Sequence, residues 1–114
     1  MIDSYSFGHI IIDKISYEND VIVFPDRVQG DWWRKEGHKL QLVDIQEALE
    51  EVQPRALVVG TGKFGIMKVS REVKEYLEAQ NIKLYAEATE KATKMYNRLI
   101  LTDDKVLGAF HLTC

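Results

Sequence analysis

The first third of the chain carries its apolar residues in short β-branched and aromatic runs, at 5–7, 9–12, 15–17 and 21–24, separated by Asp13-Lys14 and Asn19-Asp20. These runs predict strands joined by tight turns. From Asp44 the spacing becomes helical: Ile45, Ala48, Leu49 and Val52 share one stripe, Glu47 follows Asp44 by three residues, and Pro54 lies just beyond. A helix over 45–53 capped by Asp44 is expected. Ala56-Leu57-Val58-Val59 is then an unbroken apolar run ending in Gly60, the pattern of a strand covered on both faces.

Ser70 is placed to cap a helix over 71–80, in which Val73, Tyr76 and Leu77 continue a stripe begun at Val69 while the charged residues face water. Residues 82–86 read as a second strand. Thr89 is placed to cap a helix over 90–101 whose apolar face is Ala92, Met95, Tyr96, Leu99 and Ile100, and 106–112 reads as a final apolar strand. Residues 56–112 thus spell strand-helix-strand-helix-strand. Right-handed crossovers would set strands 56–59 and 82–86 side by side and parallel, with their carboxyl ends on one rim, where ligand crevices of open α/β sheets lie. The expected fold class is α/β: a single three-layer domain over residues 1–114, with a mixed central sheet, a β-rich N-terminal part and a C-terminal βαβαβ unit. The direction of the last strand is left open.

Composition narrows the chemistry. The 114 residues, 46% of them hydrophobic, suffice for one core. Fifteen Lys and Arg against eighteen Asp and Glu give a net charge of -3, which offers no general attraction to nucleic acid or acidic membrane. No apolar run approaches the roughly 20 residues of a membrane span, no export signal is visible, and one cysteine, Cys114, makes no internal disulfide. A soluble, cytoplasmic protein is expected.

The sharpest chemical motif is Gly60-Thr61-Gly62-Lys63-Phe64-Gly65, which fits the dinucleotide fingerprint G-x-G-x-x-G and is followed by Glu87 at the end of the next strand. In a dinucleotide fold, however, the helix begins within the glycines, whereas here Ile66-Met67-Lys68-Val69 intervenes before Ser70. The simpler reading is that Gly60 and Gly62 take positive φ at a tight strand exit, with Thr61 offering its hydroxyl at the rim.

Five segments in order resemble a known family: Tyr5-x-Phe7-Gly8-x-Ile10; Trp33-Arg34-x-x-Gly37-His38-x-Leu40 with Asp44; Gly60-Thr61-Gly62; Thr89-x-x-Ala92-x-x-x-Tyr96-Asn97; and His111-Leu112-Thr113-Cys114. They look like the adipogenesis-associated domain-of-unknown-function family of Mth-type domains, whose relatives include a mitochondrial assembly factor for respiratory complex I. The resemblance spans nearly the whole chain. It implies a three-layer α/β fold with no established enzymatic activity, and it favours a hydrogen bond from Asn97 to a neighbouring loop or partner. Asp13-Lys14 stands where many relatives have a hairpin glycine, which affects turn geometry only.

Other candidate residues read as structural first. Cys114 and His111 stand three apart, on opposite faces of a continuing strand, and the α-carboxylate at Cys114 disfavours a thiolate, so packing of the terminus is expected rather than nucleophilic chemistry. His9, His38 and His111 are scattered without metal-ligand spacing, so neither metal nor cofactor is expected. His38 is assigned to fixing the loop before Asp44 by hydrogen bonds, with ligand contact the alternative. Of Trp32-Trp33-Arg34-Lys35, one ring is expected in the core and one at the surface, with Arg34 pairing with a carboxylate or stacking on a ring. Where the exposed ring joins an apolar patch it marks a protein interface, and single-strand nucleic acid is disfavoured. The expected function is therefore a non-enzymatic binding or assembly module with a small polar pocket drawn from Arg34, His38, Gly60, Thr61, Gly62, Thr89, Asn97 and His111. The alternative is a nucleotide or phosphate binder, or an enzyme, using the 60–65 loop. A protein partner is expected, and a homodimer is compatible with so small a domain although no interface is readable.

Overall fold

A computed structural model describes residues 1–114. Ten strands and three helices follow in the order β1 (Ile2–Ser6), β2 (His9–Ile12), β3 (Ile15–Tyr17), β4 (Val21–Val23), β5 (Val28–Gln29), β6 (Lys39–Leu40), α1 (Leu42–Val52), β7 (Ala56–Thr61), β8 (Lys68–Val69), α2 (Arg71–Ala79), β9 (Lys83–Glu87), α3 (Thr89–Leu99) and β10 (Val106–His111). The central sheet has the order β5-β4-β10-β7-β9. β10 runs parallel to β7 and antiparallel to β4, and β7 runs parallel to β9, so the direction of the last strand is settled and the sheet is mixed. The β-rich first third divides. β4 and β5 join the central sheet, whereas β1, β2 and β3 form their own antiparallel sheet.

Side chains alternate across the central sheet into two apolar layers. Leu57, Val59, Leu107, Ala109 and Ile22 pack against Ile45, Leu49 and Val52 of α1 and Val73 and Leu77 of α2. Val58, Val106, Phe110, Val21 and Val23 pack against Ala92 and Tyr96 of α3 and Ile2, Ile10 and Ile12 of the small sheet. That alternation is the two-residue period of a strand with both faces covered. All six residues of β7 and all six of β10 are buried.

Three local expectations need correction. The first helix starts at Leu42 with Gln41 at its N-cap, and Asp44 sits in its first turn, where its carboxylate accepts from Gln41 N–H at 2.8 Å. The acid completes the reciprocal half of a cap that sequence spacing had assigned to Asp44 itself. Thr89 is the first residue within α3 rather than its cap, a position Ala88 holds. Gly60 has no positive φ: it lies in β7, and a Cβ there would come within 2.8 Å of Thr89 Oγ1 and 2.9 Å of Phe110 Cδ1, so close approach requires the glycine. Positive φ falls on Gly62 and Gly65. Ser70 does cap α2, accepting from Val73 N–H at 3.3 Å. Asp13 and Lys14 both take positive φ, the conformation of a two-residue hairpin turn that favours glycine.

A buried polar cluster at the carboxyl ends of the strands

The parallel strands β7, β9 and β10 end on one rim, and Thr89 ties their exits together. Its hydroxyl donates to His111 O at 2.6 Å and accepts from Gly62 N–H at 2.8 Å, while its own N–H donates to Gly62 O at 3.0 Å. Thr61 Oγ1 donates to Glu87 O at 3.0 Å, joining the ends of β7 and β9. Residues 60–62 and 89, far apart along the chain, are thus direct neighbours. Thr89 is fully buried, which a cap on a solvated rim would not be.

Beside this knot lies a charged cluster whose central residue, Asp20, sequence reading had placed only in a turn. Asp20 stands just before the wholly buried β4, and its carboxylate faces the end of β10. Oδ1 accepts from Leu112 N–H at 2.7 Å, and Oδ2 accepts from Arg34 Nη2 at 2.8 Å and from His111 Nδ1 at 2.7 Å. With Nδ1–H donated to Asp20, the 3.1 Å approach of Arg34 Nη2 to the same nitrogen is a contact and not a second hydrogen bond, because Nδ1 has one in-plane position. Burial pushes the Asp20 carboxyl up, but the hydrogen bonds from His111, Leu112 and Arg34 outweigh it and hold the group below its ordinary value.

Arg34 is oriented by its own loop and by the Trp32 ring, which α1 holds. Its Nε and Nη2 donate to Gly37 O at 3.3 and 2.9 Å, closing the loop on itself. Its guanidinium lies 4.7 Å from the centroid of the Trp32 ring, so the side chain pairs with a carboxylate and stacks as well. Trp32 is buried and donates Nε1–H to Asp44 O at 3.1 Å, while Lys35 N–H donates to Asp44 Oδ1 at 3.1 Å. Trp33 is 75% exposed, as expected for one ring in and one ring out. Trp32 and Arg34 are thus engaged within the protein.

Two buried atoms of this cluster, Arg34 Nη1 and His111 Nε2, have no hydrogen-bond partner. His38 is exposed: its side chain makes no hydrogen bond, its carbonyl accepts from Lys68 N–H at 2.9 Å, and its ring stands edge-on to His111 at 5.9 Å. The loop is therefore fixed by the His38 backbone rather than by its imidazole.

The rim is closed over by chain rather than hollowed out. A Cβ on Gly62 would meet Thr113 O at 2.7 Å and His111 Cδ2 at 2.9 Å, Lys63 N–H donates to Thr113 O, Gly8 N–H donates to Leu112 O, and Tyr5 Oη donates to Leu112 O. The main surface hollows, of about 370 to 500 Å³, lie elsewhere: beside Phe24, Arg27 and Tyr96; between Trp33 and α1; and at Gln53–Asn81 below the sheet. The 60–65 loop also fails as a phosphate cradle. The N–H groups of Gly62, Lys63 and Gly65 are all bonded to protein oxygens, and α2 begins six residues after Gly65. Asn97 sits apart, about 12 Å along α3 from Thr89 at 1.5 Å per residue. Its amide accepts from Ile2 N–H and donates to Ile2 O, each at 2.8 Å, clamping β1 as a neighbouring strand would. Cys114 is exposed, contrary to the expected packing of the terminus.

Comparison with solved structures supports this architecture. The chain is similar to a conserved hypothetical protein of Pyrococcus horikoshii, at 25% identity over 100% of this chain and 99% of that one, with a TM-score of 0.84. It is similar to a protein of Rhodopseudomonas palustris, at 26% identity over 97% and 82% of the two chains, with a TM-score of 0.79. A Mth938-like domain of Bordetella pertussis shares the fold at 18% identity over 98% and 85%, with a TM-score of 0.77. Residues 2–111 match the family described as Protein of unknown function (DUF498/DUF598), and the chain belongs to that family.

Proposed function

We propose that the protein is a non-enzymatic binding module that engages a protein partner through the carboxyl-end rim. The observation that carries this reading is the exposure of His38, Phe64, Ile66 and Phe7 on the rim above the buried Asp20–Arg34–His111 cluster. Exposed aromatic and aliphatic side chains beside a buried guanidinium are the composition of an interface hot spot, whose rings a partner's apolar side chains cover. The occupied amides of the 60–65 loop weigh against the nucleotide alternative. An assembly role, implied by the resemblance to a family that includes a complex I assembly factor, is the form of binding the reading favours, in a cytoplasmic setting.

The test is comparative affinity capture with the wild-type protein and with the Phe64→Ser/Ile66→Ser variant, two exposed positions whose change leaves the core intact. Proteins retained by the wild type and lost by the variant are expected. Identical retention would refute the rim as the contact surface. A panel of nucleotides and phosphates in thermal unfolding decides the alternative: a ligand at about 100 times its dissociation constant adds about 2.7 kcal/mol to stability, and such a shift would overturn the reading in favour of small-molecule binding.

A further inference from the structure

The central sheet has one long open edge. β9 pairs with β7 on one side and with nothing on the other. Lys83 N–H donates to Arg55 O, and Glu87 O accepts from Thr61, so residues 83, 85 and 87 turn their backbone groups inward. The alternate residues, Leu84 and Ala86, therefore turn an N–H and a C=O each toward solvent. Tyr85 packs with the layer that contains α3, and Ala86 is exposed, so the helices leave the edge uncovered there.

An edge of this kind is ordinarily protected by charge. Here the charges are arranged so that the strand is complementary to itself. If two copies of β9 pair antiparallel about a two-fold axis at Tyr85, Leu84 of one copy stands opposite Ala86 of the other, and Lys83 stands opposite Glu87. The outward backbone groups at 84 and 86 then form the hydrogen-bonded pairs, four bonds in all. Tyr85 and the Lys83–Glu87 pairs fall at the non-hydrogen-bonded positions, where opposing side chains approach most closely and opposite charges attract. Like charges at 83 and 87 would have repelled in the same register. Glu87 Oε1 also lies 3.8 Å from Lys91 Nζ of α3, which keeps the carboxylate on the face where the opposing lysine arrives.

We infer that the protein pairs with a second copy of itself along β9, joining two five-stranded sheets into one of ten strands, with the Lys83–Glu87 cross-strand pairs setting the register. This surface is separate from the rim proposed for a protein partner, and the dimer stands or falls independently of it.

Sedimentation velocity over a concentration series tests the inference with four forms of the chain. The wild type is expected to self-associate as a dimer. Ala86→Pro removes an outward N–H that no bond within the chain uses, and it is expected to be monomeric with unchanged circular dichroism. Lys83→Glu opposes like charges twice across the axis and is expected to weaken the dimer by about tenfold or more. The charge swap Lys83→Glu/Glu87→Lys, made together with Lys91→Glu so that residue 87 keeps an opposite charge beside it, restores opposite charges across the axis and is expected to recover wild-type association. Should Ala86→Pro fail to fold, the charge variants alone decide. A wild type that stays monomeric to millimolar concentration, a dimer that survives Lys83→Glu unweakened, or a charge swap that fails to recover association would overturn the inference.

Discussion

Replacing Asp20 by Asn tests the central cluster directly. The change keeps the size of the side chain and an acceptor for Leu112 N–H, but removes the negative charge facing Arg34, whose side chain is 4% exposed, and His111. Leaving one member of a buried ion pair unpartnered costs about 3–5 kcal/mol. A chain of this length has a total stability of about 6–17 kcal/mol, so the loss is a large share of it. The expected fall in melting temperature is about 12–20 °C, at roughly 4 °C per kcal/mol. Urea unfolding followed by tryptophan fluorescence reads it, because Trp32 lies against the Arg34 guanidinium. The second arm removes the stranded charge as well: Arg34→Met in the Asp20→Asn background should recover about 2 kcal/mol or more relative to the sum of the single variants. A cost below about 1 kcal/mol for Asp20→Asn, or no recovery in the double variant, would refute the view that an unpaired buried guanidinium is what the carboxylate prevents. The same variant carries the pH signature. Because the folded state holds the Asp20 carboxyl below its ordinary value, its contribution is complete above the unfolded value of about 4 and is lost as pH falls through the depressed one. The acid limb of wild-type stability should be correspondingly steeper than that of Asp20→Asn.

Three further outcomes follow from the geometry. Thr89→Val preserves shape but leaves Gly62 N–H and His111 O unpaired in the interior, and should destabilise by about 2–6 kcal/mol at about 1–3 per stranded group, measured by chemical unfolding; a cost below about 1 kcal/mol would mean that neither group depends on the hydroxyl. Burial pushes the Tyr96 hydroxyl up to about 12, with Asp13 adding to the rise, so its stabilisation is full below about pH 10 and is lost as pH rises through 12; Tyr96→Phe should flatten that alkaline loss in stability measured against pH. Asn97→Ala should cost about 1–3 kcal/mol for its two hydrogen bonds and speed hydrogen exchange at Ile2 N–H above that at Val58, a difference absent if Asn97 is merely a surface residue.

What sequence alone disclosed follows a physical line. β7 was legible because a strand covered on both faces is apolar without interruption, and the parallel neighbours β7 and β9 followed from the helix between them. Ser70 was legible because its acceptor role is satisfied three residues away. Thr89 misled because its position also suits a cap, while its real partners are 22 and 27 residues distant. Asp20 was missed for the same reason: its partners lie 14, 91 and 92 residues along the chain, and an acid in an Asn-Asp pair carries a strong local turn signal that masks them. For Asn97 the resemblance gave a hydrogen bond to a neighbouring loop or partner but not its recipient, Ile2 of β1, because an amide that imitates a strand leaves no periodic trace. The rim was located correctly, yet the tail that fills it is held by backbone oxygens, which no side-chain pattern reports.

The strand order also dictates when this molecule can come into being. β10 lies between β4 and β7, yet it is made after both, and it contributes side chains to both apolar layers. As the polypeptide leaves the ribosome, the hairpins and the first crossover emerge with a gap where the middle of the sheet belongs, and two hydrophobic edges stay open until residue 106 and its successors arrive. The central sheet therefore cannot be completed before synthesis has passed that point, and a message cut short before it yields a product without its middle strand.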